Sequence, residues 1–291
     1  MIFVLFIMNK LLIGFCFIFL FISDSFCQKC EDVVRLRCWY EQYGAMDTTN
    51  VRMKMKDIML LDIGLNMSIY YSREQYSMDS LKNDQTFQTR VLQASRQQRM
   101  EVSLAEMQKL PRGSGTHDYT ILKNCPKNQL TQIDRLAGDY FYYEEDGPVF
   151  EWELMEDTAT VCGYLCQKAR TIFRGRTYHA WYTPEIPISS GPWKFEGLPG
   201  LILRVDDSQS MFRFVCTHIM KPEEKMQMNS DKYYSREFRI SKSRYNQEKQ
   251  RYMDNPGQFM TGSSRGQQIG ALIPAHHYQK RPFNPIELTE K

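Results

Sequence analysis

One stretch of the sequence indicates the fold: Leu201-Ile-Leu-Arg-Val-Asp-Asp-Ser-Gln-Ser-Met-Phe-Arg-Phe-Val-Cys-Thr-His-Ile219. Two mostly apolar runs, 201–205 and 211–219, enclose the polar run 206–210. Strand-forming residues on both sides of an Asp- and Ser-rich segment are typical of two antiparallel strands joined by a short loop. The stretch therefore predicts a β-hairpin, the clearest one in this chain of 291 residues.

Similar short strands are predicted before this hairpin. Within 51–62, polar and apolar residues first alternate and an apolar run follows at 58–61. Alternation resumes through 65–71 after Gly64, which indicates a second hairpin. Further strands are predicted at 140–143, 149–154, 162–173 and 176–182. Because no helical pattern alternates with these strands, they favour a meandering antiparallel sheet over a doubly wound fold. We expect a mainly β chain with a few helices (α+β), folded as a curved antiparallel sheet or half-barrel and comparable, by analogy alone, to half-barrel lipoprotein carriers.

Helical and irregular segments complete the predicted organisation. Residues 79–110 contain no Gly or Pro and predict a helical excursion, and residues 243–254 predict a charged helix that ends before Pro256. The segment 181–193 contains three prolines, so it should cross the sheet as a stiff loop rather than join a strand ladder. The predicted domains are a leader at 1–27, an antiparallel β domain at 28–240, and a helix with an extended tail at 241–291.

The first 27 residues have the pattern of a secretory signal peptide. If translation starts at Met8, Lys10 supplies the positive charge, and the apolar segment 11–22 leads to a polar exit with cleavage before Gln28. That segment is too short to cross a bilayer, which needs about 20 residues. An uncleaved anchor over 2–22 would place Lys10 in the bilayer at a cost of several kcal/mol. We therefore expect an exported protein, located in the periplasm or associated with the outer membrane.

The cysteines agree with export. Cleavage before Gln28 leaves an even number of them: Cys30, Cys38, Cys125, Cys162, Cys166 and Cys216. In an oxidising compartment these six are candidates for disulfides, and the sequence alone does not select among their pairings. Cys162 and Cys166 cannot bond each other on one extended strand, because their Cα atoms would lie about 13 Å apart. The alternatives are inert thiols, or thiols with a metal or redox role.

A glycine- and proline-rich block leads into the first hairpin: Gly191-Pro-Trp-Lys-Phe-Glu-Gly-Leu-Pro-Gly-Leu-Ile-Leu203. Its six residues Gly197-Leu-Pro-Gly-Leu-Ile202 resemble the signature of the GLPGLI family, and Cys166 matches the single cysteine usual in that family. The resemblance is clearest over residues 140–220. It implies an exported protein of Bacteroidota, associated with envelope and outer-membrane receptor genes and without an established activity. It implies no catalytic residues.

The residues of this block also have a physical interpretation of their own. Pro199 fixes φ and Gly200 can adopt positive φ, so together with Gly197 they predict a type II turn that leads into a strand. A neighbouring set of aromatic and proline side chains either packs in the core or forms an outward-facing rim that binds a ligand or a partner. That set is Trp181, Tyr182, Pro184, Pro187, Trp193 and Phe195.

The charged residues and histidines do not form a recognisable catalytic set. Arg174, Arg176 and Lys194, near Glu185 and Glu196, indicate surface ion pairs or an anion site. No Gly-x-Ser-x-Gly elbow or phosphate-binding loop occurs, and the five histidines are scattered. We therefore predict no catalytic residue, no metal and no cofactor. A formal charge of +3 is too small to make nucleic acid an expected partner.

These observations favour a non-enzymatic exported protein of the cell envelope that binds an apolar ligand or a partner protein, with only peripheral membrane contact. One alternative is a hydrolase or thiol-dependent oxidoreductase that uses Cys166 or a histidine. Another is a structural accessory of an outer-membrane receptor.

Overall fold

The computed structural model describes residues 30–45, 54–86, 89, 119–136, 139–230, 237–256 and 284–288. The predicted leader, most of the helical excursion at 79–110 and most of the tail lie outside the described residues. The division into a leader, a β domain and a tail therefore stays a prediction.

The strands and helices follow one another in a meandering order. The strands are β1 (Glu31–Val33), β2 (Leu36–Ala45), β3 (Lys54–Ile63), β4 (Ser68–Ser72), β5 (Thr120–Lys123), β6 (Gln129–Leu136), β7 (Asp139–Asp146), β8 (Glu153–Val161), β9 (Tyr164–Phe173), β10 (Arg176–Thr183), β11 (Leu201–Asp207), β12 (Phe212–Met220), β13 (Gln227–Asn229) and β14 (Glu237–Arg239). The helices are α1 (Arg73–Asn83) and α2 (Lys242–Asp254).

Most of these strands belong to one large sheet. Its 12 strands are arranged in the order β14-β7-β6-β5-β4-β3-β2-β12-β11-β10-β9-β8. Every neighbouring pair is antiparallel except β14 and β7, which are parallel. β1 and β13 form a separate two-stranded sheet. The prediction of a mainly β fold built on an antiparallel sheet with a few helices is confirmed.

Both predicted hairpins are present, but one predicted strand is wrong in extent. β11 pairs with β12, with Val205 opposite Phe214, and β3 pairs with β4. Residues 147–152 are irregular, and β8 begins only at Glu153. The reason is packing, because Phe150 and Trp152 lie against the ring of Phe195 instead of alternating across a strand.

The two helices lie close to where the sequence placed them. α1 begins at Arg73, earlier than the predicted helical excursion. α2 confirms the charged helix predicted at 243–254, and the Ser241 hydroxyl caps it by accepting a hydrogen bond from the backbone N–H of Arg244 at 3.3 Å. No helix in the described ranges is both long enough and apolar enough to span a membrane.

The central strands of the sheet are buried on both faces. On β3, Leu61 belongs to the larger core cluster, and its neighbour Leu60 belongs to a smaller cluster on the opposite face. Successive strand residues point to opposite faces, so the unbroken apolar run of β3 follows from covering on both sides. We call the face that carries Tyr40, Leu61 and Tyr178 the inner face. The residues of interest for function lie on it.

Candidate functional site

The proline-rich loop between β10 and β11 covers the inner face. The residues from 184 to 200 form no strand, as their prolines predict. Trp193 and Phe195 in this loop are buried. The Phe195 ring contacts five other rings, those of Phe150, Trp152, Tyr178, Trp193 and Phe214. The loop is therefore part of the hydrophobic core, and its rings pack as closely as those of any protein interior.

The six residues predicted as core or ligand-binding rim divide into two groups. Tyr182, Trp193 and Phe195 are buried, so these three belong to the core and cannot form an outer rim. Trp181 is half-buried beneath the Lys168 amine, which lies 5.4 Å from its ring centroid, and Pro184 and Pro187 are exposed. Binding of a ligand or partner at the exposed residues stays a prediction.

The glycines of the predicted turn have roles different from those expected. Gly197 has a φ of +92°, the left-handed region that favours glycine. Gly200 does not have positive φ, so the predicted type II turn is wrong at this residue. Instead its backbone lies so close to β10 that a Cβ atom there would be 2.2 Å from the carbonyl oxygen of Thr183. Its N–H donates to the Leu198 carbonyl at 2.8 Å, which closes a three-residue turn around Pro199.

A buried lysine lies beneath the same loop. The Lys123 amine donates hydrogen bonds to the carbonyl oxygens of Gly191, at 3.0 Å, and Phe195, at 2.7 Å. Its closest described carboxylate is that of Glu196, 4.0 Å away. Burial lowers the pKa of Lys123 to about 8, because the charged amine loses hydration that two carbonyls and a distant carboxylate do not replace.

Lys194, between the two buried aromatics of the loop, belongs to a network of ion pairs. Its amine, fully buried, donates to Glu145 and to Glu287, each at 2.6 Å. Arg174 and Lys242 contact the same two carboxylates at 2.7 to 3.3 Å. Three cations thus share two carboxylates, and one of these, Glu287, comes from near the end of the chain. We call these five residues the Lys194 network.

The ion-pair partners that the sequence indicated for these cations are wrong. None of the ion pairs within the described ranges joins Arg174, Arg176 or Lys194 to Glu185 or Glu196. Arg176 pairs instead with Asp207 at 3.4 Å, and both side chains are buried. These are interior contacts, so they form neither a surface ion-pair patch nor an open anion site.

The C-terminal segment Asn284 to Leu288 lies across the inner face and is held by side chains of the sheet. Arg176 donates to the Asn284 side-chain oxygen at 2.7 Å and to the Pro285 carbonyl at 2.8 Å. The Tyr178 hydroxyl donates to the Ile286 carbonyl at 3.0 Å. With Glu287 in the Lys194 network, nearly every residue of this segment has a polar contact with the sheet. The predicted loose tail is thus docked at these five residues.

A cavity of about 160 Å³ lies between the inner face, α2 and this C-terminal segment. Its wall contains both polar and apolar groups. The sheet contributes Gln42, Ala45, Tyr119, Gln132, Asp134, Tyr143 and Phe212; α2 contributes Tyr245, Asn246, Lys249 and Met253; the C-terminal segment contributes Asn284, Pro285, Ile286 and Glu287. We call this space the Gln42 cavity.

Gln42 is the polar centre of the cavity wall. Its side chain is fully buried, and its Oε1 accepts hydrogen bonds from the hydroxyls of Tyr70 and Tyr119, both at 2.9 Å. Its Nε2 has no hydrogen-bond partner among the described residues. A buried donor left without an acceptor costs about 1–3 kcal/mol.

The charged groups of the wall are already compensated. Asp134 accepts hydrogen bonds from the hydroxyl of Tyr245 and from the amine of Lys249, the latter at 2.9 Å. Burial raises the pKa of Tyr119 and of Tyr245 well above the ordinary value, so both hydroxyls remain neutral. The cavity therefore presents neutral donors and acceptors and apolar surface, with no unpaired charge among the described residues that line it.

The cysteines form one disulfide and one group of thiols. Cys30 and Cys125 are bonded, which confirms two of the six candidates. The other four, Cys38, Cys162, Cys166 and Cys216, are free in the structure. Burial raises the pKa of Cys166 to about 11, opposite to the lowered pKa of a catalytic thiol. Cys166 therefore lacks the activation that an oxidoreductase or hydrolase nucleophile requires.

No three His, Cys, Asp or Glu side chains in the described part of the chain are grouped so that they could hold a metal ion. His179 and His218 lie on β10 and β12, which β11 separates. His218 packs its ring against Trp39 at a centroid distance of 5.0 Å, an ordinary cross-strand contact.

Comparison with known sequences finds a partial family match. A family model described as a protein of unknown function (Porph_ging) matches residues 171–204. This segment contains the six residues that resemble the GLPGLI signature, although the matching model does not carry that name. The match agrees with the expectation of a family without an established activity. No curated protein gives a significant match.

Two solved structures of PNGF-II, in the space groups P21 and C2, are distantly similar to this chain. Both are 12% identical to it, with TM-scores of 0.46 and 0.47. The similar regions cover 74% and 73% of this chain and 32% of the PNGF-II chain. This chain thus spans about a third of the PNGF-II chain, and a similarity of this size carries no argument about activity.

The sequence did not identify the Gln42 cavity. Gln42 stands in the alternating stretch Leu36–Ala45, where it follows Cys38 and Tyr40 at every second residue and so shares their face. A glutamine at a position that should be apolar was the available signal. The contribution of Asn284 to Leu288 had no such signal, because it depends on contacts between residues more than 100 positions apart.

Proposed function

We propose that this protein is a non-enzymatic exported protein of the cell envelope that binds a small ligand in the Gln42 cavity. The observation that carries the proposal is the Nε2 of Gln42, a fully buried donor without a partner among the described residues. Buried amide donors in native proteins nearly always have a partner, which is protein, water or ligand. We take that partner to be an acceptor atom of a ligand in the cavity, because Gln42 is one of the residues that line it.

The wall of the cavity indicates the chemical class of the ligand. Because Asp134 and Lys249 contact each other, neither is left to bind a charged molecule. Ala45, Phe212, Met253 and Ile286 supply apolar surface. The ligand is therefore neutral, with an apolar body and one oxygen that accepts a hydrogen bond. This differs from the purely apolar ligand expected from the aromatic residues of the sequence.

The size of the cavity limits the ligand to a small ring. An engineered apolar cavity of about 150 Å³ in another protein binds benzene, and the Gln42 cavity has about 160 Å³. A six-membered ring that carries a carbonyl oxygen matches this volume and the single donor. The disulfide between Cys30 and Cys125 agrees with an exported protein, since such bonds persist in oxidising compartments.

Calorimetric titration with two molecules of the same shape tests the proposal. Cyclohexanone offers a carbonyl acceptor to Gln42, whereas methylcyclohexane offers none. We expect the ketone to bind up to about tenfold more tightly, because one net hydrogen bond contributes up to about 1.4 kcal/mol. Equal affinities, or no binding of the ketone to the folded protein, would contradict the proposal.

A cavity-filling variant locates the binding. Met253→Trp places a larger side chain in the cavity from α2, and should reduce ketone binding by at least about tenfold without touching Gln42. The matched control is Gln247→Trp, at an exposed position of the same helix that does not line the cavity. Ketone binding that survives Met253→Trp in a folded protein would place the ligand elsewhere.

A further inference from the structure

The C-terminal segment Asn284 to Leu288 occupies a site that recognises two of its side chains. The site, which we call the segment site, consists of Ala45, Arg174, Arg176, Tyr178, Lys194 and Lys242. The Asn284 side chain donates to the Ala45 carbonyl at 2.8 Å and accepts from Arg176 at 2.7 Å. An ionised aspartate could not donate to that carbonyl. Three residues later, the Glu287 carboxylate accepts from the Lys194 amine at 2.6 Å. The site therefore selects an asparagine and, three residues after it, a carboxylate.

The segment site also recognises the backbone between these two side chains. Arg176 donates to the Pro285 carbonyl at 2.8 Å, and the Tyr178 hydroxyl donates to the Ile286 carbonyl at 3.0 Å. Among the described residues, the segment makes one backbone–backbone hydrogen bond, from the Leu288 N–H to a carbonyl of the β9–β10 turn at 2.9 Å, and it forms no strand. Side chains that reach its carbonyls therefore hold it, rather than the ladder of main-chain bonds that adds a strand to a sheet.

The charge of the segment site favours an acidic occupant. Without Glu287, the three cations Arg174, Lys194 and Lys242 would share the single carboxylate of Glu145. The Lys194 side chain is fully buried, and removal of one partner from a buried ion pair is strongly destabilising. An empty site is therefore unfavourable, and a carboxylate supplied by another molecule would satisfy the same cations.

The contacts of the segment can be exchanged without disrupting the sheet. Asn284 is buried, Pro285 and Ile286 are half-buried, and Leu288 is 51% exposed. Because the segment belongs to no strand, its departure breaks no strand ladder. A second segment with the same side chains can therefore take over the same set of hydrogen bonds and ion pairs while the strands stay in place.

We propose that the segment site binds an extended segment of another protein in which asparagine, proline, an apolar residue and glutamate follow one another. The C-terminal segment of this chain is the resident occupant, and the segment of the partner displaces it. The glutamate of the partner then restores the second carboxylate of the Lys194 network. The site does not depend on the ligand proposed for the Gln42 cavity, because none of its hydrogen bonds involves Gln42. Either proposal can therefore fail without the other.

Fluorescence anisotropy with a labelled peptide of residues 282–291 tests the site. The protein is the full chain, either unaltered or with both Asn284→Ala and Glu287→Gln, which weaken the hold on the resident segment. The apparent affinity for an added peptide falls with the fraction of molecules whose site is free. We therefore expect the double variant to bind the peptide at least about tenfold more tightly than the unaltered chain. The matched control, Glu153→Gln, changes a surface carboxylate and should bind like the unaltered chain.

Changes to the peptide and to the site show whether binding uses these contacts. A peptide that carries Asn284→Ala and Glu287→Gln should bind the double variant at least about tenfold more weakly than the original peptide, because it lacks the recognised amide and carboxylate. Adding Tyr178→Phe to the double variant removes the hydroxyl that donates to the Ile286 carbonyl, and should weaken binding by up to about tenfold. Equal binding of the two peptides would overturn the proposal.

Two further measurements keep the outcome unambiguous. Circular dichroism establishes that each variant is folded, and Glu287→Gln alone replaces the double variant if that one unfolds, with the same direction expected. No binding of the original peptide to a folded variant with a weakened resident segment would refute the proposal. Sedimentation velocity of the unaltered chain should show a monomer. A dimer that Glu287→Gln abolishes would assign the site to a second copy of this chain, and would also refute a site for another protein.

Discussion

Two regions of the inner face are filled in opposite ways. Around Phe195, aromatic rings from the loop, from β10 and β12, and from the irregular segment 147–152 pack at centroid distances of 4.9 to 6.4 Å from its ring. Around Gln42, tyrosine hydroxyls, amides and ion pairs surround a cavity. Lys194 stands at the boundary, next to Phe195 in sequence and hydrogen-bonded to the polar region through Tyr143.

The difference shows how one sheet face combines a close-packed region with a region that keeps a cavity open. Rings pack without directional requirements and fill space until none remains, so the Phe195 region is stabilised by contact area. Hydrogen bonds and ion pairs fix distances and angles, so the Gln42 region can keep a void open between its walls. Stability should therefore depend most on the first region, and the proposed ligand binding on the second.

The largest effect should come from the aromatic region. Phe195→Ala removes a fully buried ring that contacts five others, and should lower the free energy of unfolding by about 4 kcal/mol, the range for deletion of a buried aromatic side chain. Urea unfolding measures the change. The matched control is Phe238→Ala on β14, whose ring is 62% exposed and should cost less than about 0.5 kcal/mol. Similar losses in both variants would contradict the assignment of Phe195 to the core.

A somewhat smaller effect concerns Lys123, a buried cation beneath the aromatic loop. Its pKa is about 8 in the folded protein against 10.5 unfolded, a difference equivalent to about 3 kcal/mol. Below pH 8 both states hold the proton and stability is constant. Between pH 8 and 10.5 the unfolded state binds more protons, so the free energy of unfolding should rise with pH.

Comparison with Lys123→Met isolates this rise. The variant has no titrating amine at this position, so the difference in unfolding free energy between the two proteins should grow by about 3 kcal/mol, in favour of the native lysine, from pH 8 to 10.5. Urea unfolding at several pH values measures it. A difference that does not change with pH would show that Lys123 is hydrated rather than buried.

The sequence predicted the aromatic region far better than the polar one. Alternation and turn residues located β3, β4, β11, β12 and α2, because these elements depend on neighbouring residues. Pro184, Pro187 and Pro192 correctly indicated a loop between strands, since proline cannot donate to a ladder. The sequence left open whether the aromatic side chains of this loop face the core or the solvent. The answer depends on which rings from distant parts of the chain pack against them.

The polar region depends on partners that no local pattern reveals. Lys194 was expected to meet Glu185 or Glu196, its near neighbours, but it contacts Glu145 and Glu287. Glu145 lies on β7 and Glu287 in the docked C-terminal segment, 49 and 93 residues from Lys194 in the sequence. Successive side chains of a strand point to opposite faces, so charged residues close in sequence need not meet. The ion-pair partners of Lys194 could therefore be identified only from the tertiary structure.

The smallest of the three effects tests whether the Lys194 network holds the C-terminal segment. Glu287→Gln leaves Arg174, Lys194 and Lys242 with one carboxylate, that of Glu145. Breaking a buried ion pair costs about 3–5 kcal/mol; since Glu145 remains, we expect a loss near 2 kcal/mol. We also expect faster hydrogen exchange at Leu288, whose N–H donates to the Arg174 carbonyl. Glu153→Gln is the matched control, because Glu153 pairs with Arg170 on the surface and should contribute less than about 0.5 kcal/mol.

Urea unfolding and hydrogen exchange of Glu287→Gln together distinguish local release of the C-terminal segment from global destabilisation. If the network anchors only the C-terminal segment, exchange at Leu288 should increase in Glu287→Gln while amides of β11 and β12 remain protected. That pattern would leave the aromatic region intact and open the Gln42 cavity on the side that Pro285 and Ile286 cover. Equal loss of protection at Leu288 and in β11 and β12 would instead mean that the polar and aromatic regions unfold as one unit. The two regions would then differ in their amino-acid composition but not in their local stability.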